Sequence, residues 1–166
     1  HPLQKRIVQG VETLVGHNRF VMGTDSCGVP TLGLTVNDMM QLWFSLAQNK
    51  DEHSTMVKAL WRKFPELVGG TERLDTAIVR ATAGQVLAKE GADGMLVVQT
   101  VSQDRDQGCF IKINSGYNAT HLALALLVKL RSTASSLNPA MKLVLSYLED
   151  QTAKYVPPDQ RLVSHI

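Results

Sequence analysis

Apolar residues recur at helical spacing from the first turn of the chain. Leu3, Ile7, Val11 and Leu14 fall on one side of a helix over 2–15, with Pro2 suited to its first turn. GHNRFVMG (16–23) holds a short apolar run between glycines and reads as a brief strand. Helical periodicity returns in TVNDMMQLWFSLAQ (35–48), with Thr35 or Asn37 as the cap. It returns again in DEHSTMVKALWRKF (51–64), where acids open the helix and bases close it, matching the helix dipole. Pro65 follows, and 69–82 reads as a turn with a short helix.

The period then changes. GQVLAKEGADGMLVVQTV (84–101) and QGCFIKIN (107–114) are rich in β-branched residues and partly alternate. Polar SQDRDQG joins them, the pattern of an antiparallel hairpin with a longer loop. Two strands alone are not stable, so further sheet is expected from the run near Phe20, the C-terminal tail or polypeptide outside this sequence. NATHLALALLVKLR (118–131) is apolar enough for a helix buried on most sides. STASSLNP (132–139) reads as a loop, PAMKLVLSYLEDQTAKY (139–155) as a last helix and VPPDQRLVSHI as an extended tail. Helices, antiparallel strands, then helices specify an α+β fold, with one domain over 1–166.

Composition narrows the function classes. The chain has 166 residues, 44% hydrophobic and 19% charged, with a net charge of +2, as a globular domain has. No basic block tracks phosphates, so nucleic acid is not an expected partner. No apolar run has the length of a membrane span, and residues 1–20 lack the hydrophobic stretch of a secretory signal. Cys27 and Cys109 form no CxxC pair, which favours a reducing, cytoplasmic setting while leaving one bridge open. The start at His1 without methionine is read as that of a fragment.

Candidate chemistry concentrates in GTDSCGVPTLGL (23–34). Cys27 is read as a small buried hydrophobe, a nucleophile lacking a nearby histidine, or a zinc ligand needing partners from elsewhere. Asp25 either caps the turn or orients a base or ligand. In LAKEGADG (87–94), Lys89 is an ordinary solvated lysine or one at a strand edge where Gly91 lets substrate approach. Asp93-Gly94 otherwise reads as a turn dipeptide. Arg73 and Asp75 form a surface pair or an orienting pair, with the surface favoured. Ser115, Tyr117 and His121 stand at a strand-to-helix junction where Asn118 would cap the helix, and His53 reads as exposed. No S-x-x-K, G-x-S-x-G, HExxH or Walker motif is present, so the chain has no nucleophile–base set of its own.

Three stretches in order carry a resemblance. DSCGVPT (25–31) is similar to the D-G-C-G-V-P signature of the bacterial L-asparaginase II family, the rhizobial-type asparaginases. FPELVGGTERLDTAI (64–78) resembles its H-P-E-x-V-x-G-x-x-R-x-D-T block, and LAKEGADG its K-x-G-A-E-G block. The likeness covers roughly 1–131, including HPLQ at the start. It implies a fold like serine β-lactamases and penicillin-binding proteins, with this chain as the C-terminal part and the serine nucleophile in a missing N-terminal half. It further implies that Asp25 binds the substrate amino group and that Cys27 is one ligand of a zinc site completed upstream. Lys89 would lie beside the serine, its proton affinity lowered by desolvation and neighbouring cations. Asp93 would take the substrate-side position of the family's glutamate.

Four positions depart from the family pattern. Ser26 replaces a glycine, Asp93 replaces a glutamate, NSGYNAT replaces D-D-G-x-x-R-A, and Phe64 replaces a histidine. The expected function is hydrolysis of the asparagine side-chain amide, with L-asparagine as the small-molecule partner and the isolated fragment inactive. The alternative is a non-catalytic homologue that binds a small amino acid or serves in assembly; homo-oligomerisation is compatible with both.

Overall fold

The computed structural model describes residues 1–101, 106–114 and 119–155. The readings for Ser115, Tyr117 and Asn118 and for the extended tail lie outside these residues. Seven α-helices and two antiparallel sheets make an α+β fold among the described residues.

Helix α1 (Pro2–Val15) ends at Gly16, which takes a left-handed φ of 77°. Strands β1 (Val21–Thr24) and β2 (Pro30–Gly33) pair as a hairpin. Helices α2 (Val36–Gln48), α3 (Glu52–Lys63), α4 (Pro65–Val68) and α5 (Leu74–Ala81) follow. Then come β3 (Val86–Gly91), β4 (Met95–Thr100) and β5 (Gly108–Lys112), and finally α6 (Ala119–Ser132) and α7 (Pro139–Tyr155).

The expected two-stranded hairpin is corrected to a three-stranded meander, β3-β4-β5. The run 84–101 is itself two strands, folded back where Asp93 and Gly94 adopt φ of 58° and 71°. Aspartate and glycine tolerate that left-handed backbone better than other residues. The extra strand therefore comes from within the run, and the segment near Phe20 builds the separate β1-β2 sheet.

Alternation along β3 and β4 gives each face a distinct set of neighbours. Val86, Ala88, Leu96 and Val98 join Ile78 and Val79 of α5, Leu122 and Leu126 of α6, and Met141 and Val144 of α7 in one buried core. Truncating Leu122 or Leu126, both fully enclosed, to alanine would cost about 2–5 kcal/mol. On the other face, Met40 of α2 and the carboxamide of Gln99 fill the space beside Gly108 that a Cβ would need.

Two apolar faces are less covered than their patterns predict. Leu3, Ile7 and Leu14 are exposed, because α1 packs on α2 and turns Val8, Val11 and Val15 inward. Helix α6 leaves Val128 exposed as well.

Of the two cap candidates, Thr35 opens α2. Its hydroxyl accepts from the Asp38 N–H at 3.2 Å, and the Asp38 carboxylate accepts from the Thr35 N–H at 3.1 Å, closing a capping box. His17 Nε2 lies 3.0 Å from the same carboxylate and ties the end of α1 to the start of α2. Gln41 reinforces that junction by donating to the Leu14 carbonyl at 2.6 Å. On α3, buried Lys58 donates to the carbonyls of Ala47 and Asn49, closing the C-terminal end of α2 with a cation.

Hydrogen bonds from Thr35 hold Asp38 below the ordinary carboxylate range, and hydrogen bonds from Ser54 do the same for Asp51. A depressed carboxylate stabilises the fold above its unfolded value, and that stability is lost as pH falls through the folded value. Urea midpoints should therefore decline as pH falls below about 4, with a shallower decline in Asp38→Asn. Thr35→Ala should cost about 1 kcal/mol at neutral pH in the same titration.

Candidate functional site

Helix α5 begins without a cap of its own, since the Arg73 side chain at the N-cap makes no capping bond. The cap comes from strand β3. Glu90 Oε1 accepts from the N–H groups of Leu74 at 2.8 Å and Asp75 at 3.3 Å. Its Oε2 accepts from the Arg73 guanidinium at 2.8 Å.

Asp75 answers from the helix side. Its Oδ2 accepts the Glu90 N–H at 2.9 Å, and its Oδ1 accepts the Thr76 N–H at 2.8 Å. Because β3 is the sheet's edge strand among the described residues, this bond uses an amide that no described strand pairs with. Both carboxylates are wholly buried, with side-chain exposures of 0% for Glu90 and 1% for Asp75. The positive end of α5 favours negative charge at this place.

Lys89 completes the group. Its amine donates to Asp75 Oδ2 at 3.3 Å and to the Glu90 carbonyl at 2.6 Å. Its side chain stays about a third exposed, at 35%. Among the described residues the partners of this amine are thus a carboxylate and a carbonyl. Arg73 and Asp75 likewise depart from the favoured surface pair, because Asp75 is buried and each binds a different partner.

The stretch 64–78 is shaped to make this possible. Pro65 starts α4, and Gly69 sits where a Cβ would collide with the Asp75 carboxylate and the Thr76 hydroxyl. Thr76 Oγ1 donates to the Gly70 carbonyl at 2.8 Å, pinning the turn against α5. Outside it, Arg80 and Glu66 pair at 2.7 Å.

The other candidates lie on two turns. Asp93 occupies the β3–β4 turn, largely exposed, with its carboxylate 3.0 Å from Lys112 Nζ. Asp25 and Cys27 sit at the tip of the β1-β2 hairpin, a sheet distinct from the one that carries Lys89. There Asp25 Oδ1 accepts from the N–H groups of Cys27 and Val29, each at 2.9 Å, as a turn-capping aspartate does. Gly28, at φ 76°, supplies the left-handed residue of that turn, and Ser26 keeps a negative φ. Cys27 is exposed, which corrects its reading as a small buried hydrophobe. His53 is exposed, as expected.

Both cysteines are free. Cys109 is half-buried on β5, where burial pushes its thiol upward. A zinc site needs at least three protein ligands, and no group of three His, Cys, Asp or Glu residues is placed for a metal among the described residues. Cys27 offers one ligand, and the further ligands that the resemblance implies would come from outside this sequence. A cavity of about 640 Å³ opens beside α5 between Arg73, Arg80, Thr120 and Tyr147, and none of Asp25, Cys27, Lys89 and Asp93 lines it.

Sequence reasoning missed Glu90 as the cap of α5. Its trace was the pair Lys89-Glu90 set inside an otherwise apolar strand. Two adjacent charges there require polar partners from another element, and the start of α5 supplies both. Gly69→Ala should lower stability by about 1–3 kcal/mol through overpacking, measured by urea unfolding. Glu90→Ala should cost more, near the lower end of about 3–5 kcal/mol because Arg73 keeps some solvent.

The family model for L-asparaginase II matches residues 1–155, a span that holds the β1-β2 hairpin and the α5–β3 junction alike. No curated protein matches the chain. With nearly its whole length matched, the chain belongs to the L-asparaginase II family.

Proposed function

We propose that this chain is the C-terminal part of an asparaginase-type amidohydrolase acting on the side-chain amide of asparagine. The observation that carries the reading is the family match over 1–155. In the proposed reaction a serine hydroxyl from outside these residues attacks the amide carbon. The C–N bond breaks with ammonia as the leaving group, and water then cleaves the acyl-enzyme to give aspartate.

The geometry supports roles for two residues. Asp25 engages the loop amides through Oδ1, leaving Oδ2 for the substrate ammonium, the natural partner of a carboxylate. Lys89 presents a partly exposed amine at the edge of β3, suited to hand a proton to the leaving nitrogen. Asp93 joins the substrate side in this reading, on a carboxylate already paired with Lys112. The serine β-lactamase-like architecture belongs to the same proposal, supported by an antiparallel sheet with helices against it and a lysine on its edge strand. No step is assigned to zinc. Among the described residues no helix is long and apolar enough to cross a membrane.

The second reading, a non-catalytic amino-acid-binding or assembly homologue, is favoured by the exposed Leu3, Ile7 and Leu14 of α1 and by Val21 and Met22 of β1. A protein extended by its upstream reading frame should release ammonia from asparagine, and Lys89→Met should lower kcat by about a hundredfold or more. Release at background level would end the enzyme reading. Calorimetric binding of asparagine without turnover would select the second.

A further inference from the structure

We propose that Asp75 is the positioning residue for Lys89, a rigid buried post that fixes where the amine stands at the edge of β3. The catalytic part of this inference rests on the asparaginase-type reading above; the structural part does not.

The Lys89 amine has two acceptors, and they differ in kind. The Glu90 carbonyl belongs to the next residue, so it moves with the strand and only draws the side chain back along it. The Asp75 carboxylate comes from another element and sets the direction in which the amine leaves the strand. A long, four-carbon side chain with about a third of its surface in solvent would otherwise sample many rotamers. One charge-assisted contact to a fixed group removes most of that freedom.

Asp75 is fixed. Its two oxygens accept from Thr76, Glu90 and Lys89, so neither can turn without abandoning a donor. The Glu90 side chain holds the backbone of Asp75 itself, and the absent Cβ of Gly69 leaves room for the carboxylate and nothing larger. Caps from the two backbone amides alone would not call for a charge. An ionised carboxylate with 1% exposure is costly unless a cation neutralises it, and Lys89 is the cation in contact. Each member of the pair therefore explains the other.

The test follows the lysine amines of the 166-residue chain by nitrogen-15 correlation spectroscopy. The Lys89 ammonium protons should exchange with water at least about tenfold more slowly than those of exposed Lys142, because two of the three hydrogens are held by acceptors and the ion pair opposes the proton loss that exchange requires. Exchange as fast as at Lys142 overturns the proposal. Asp75→Asn should abolish the slow exchange, and a folded variant that keeps it also overturns the proposal. Asp75→Asn turns an amide donor toward a backbone N–H, so folding is checked by circular dichroism. If that variant does not fold, Lys89→Met decides: the Asp75 carboxyl carbon resonance should move, and an unmoved resonance sinks the pairing.

In the extended enzyme, Asp75→Asn should reduce kcat by about tenfold or more while KM stays within about twofold. Unchanged kcat, or KM rising in step with lost stability, refutes the catalytic part. Absence of turnover in the parent enzyme refutes the asparaginase reading instead, and the exchange measurement then judges the Asp75–Lys89 contact by itself.

Discussion

The exchange of hydrogen bonds between the start of α5 and the edge of β3 is the constraint around which the rest of the domain is arranged. A helix end and a sheet edge each expose backbone amides that cannot be left dry. Here each supplies the carboxylate that the other needs, Glu90 for α5 and Asp75 for β3. The two problems are solved by one contact. It also sets the height of α5 against the sheet, and with it the seating of Ile78 and Val79 in the core beside Val86 and Ala88.

That contact joins two stretches that look unrelated in the sequence. The glycine, threonine and aspartate of 64–78 and the lysine and glutamate of 87–94 form one object once folded. Their resemblance to two separate family blocks thus has a single structural basis. The hairpin tip with Asp25 and Cys27 is a different object, held by its own turn hydrogen bonds.

Much of the fold was legible because local rules decided it. The limits of α1, α2 and α7 follow from Pro2, Thr35 and Pro139 together with helical periodicity. The third strand was hidden because valine-rich β4 continues the pattern of β3, and only Asp93-Gly94 marks the reversal. The burial of Asp75 could not be read locally, since its partners stand 14 and 15 residues away on another element. The exposure of Leu3, Ile7 and Leu14 was equally beyond the pattern, because periodicity shows that a helix has an apolar side and not what covers it.

The neighbouring charges of β3 carry one more consequence. Side chains on a strand alternate between faces, so Lys89 and Glu90 can serve one helix end only in their present order. Sliding the strand by a single residue would aim an ammonium at the electropositive start of α5 and strand a carboxylate on the opposite face. The β3–β4 pairing is thereby locked by charge as well as by shape. A one-residue insertion or deletion within β3 would break both contacts at once.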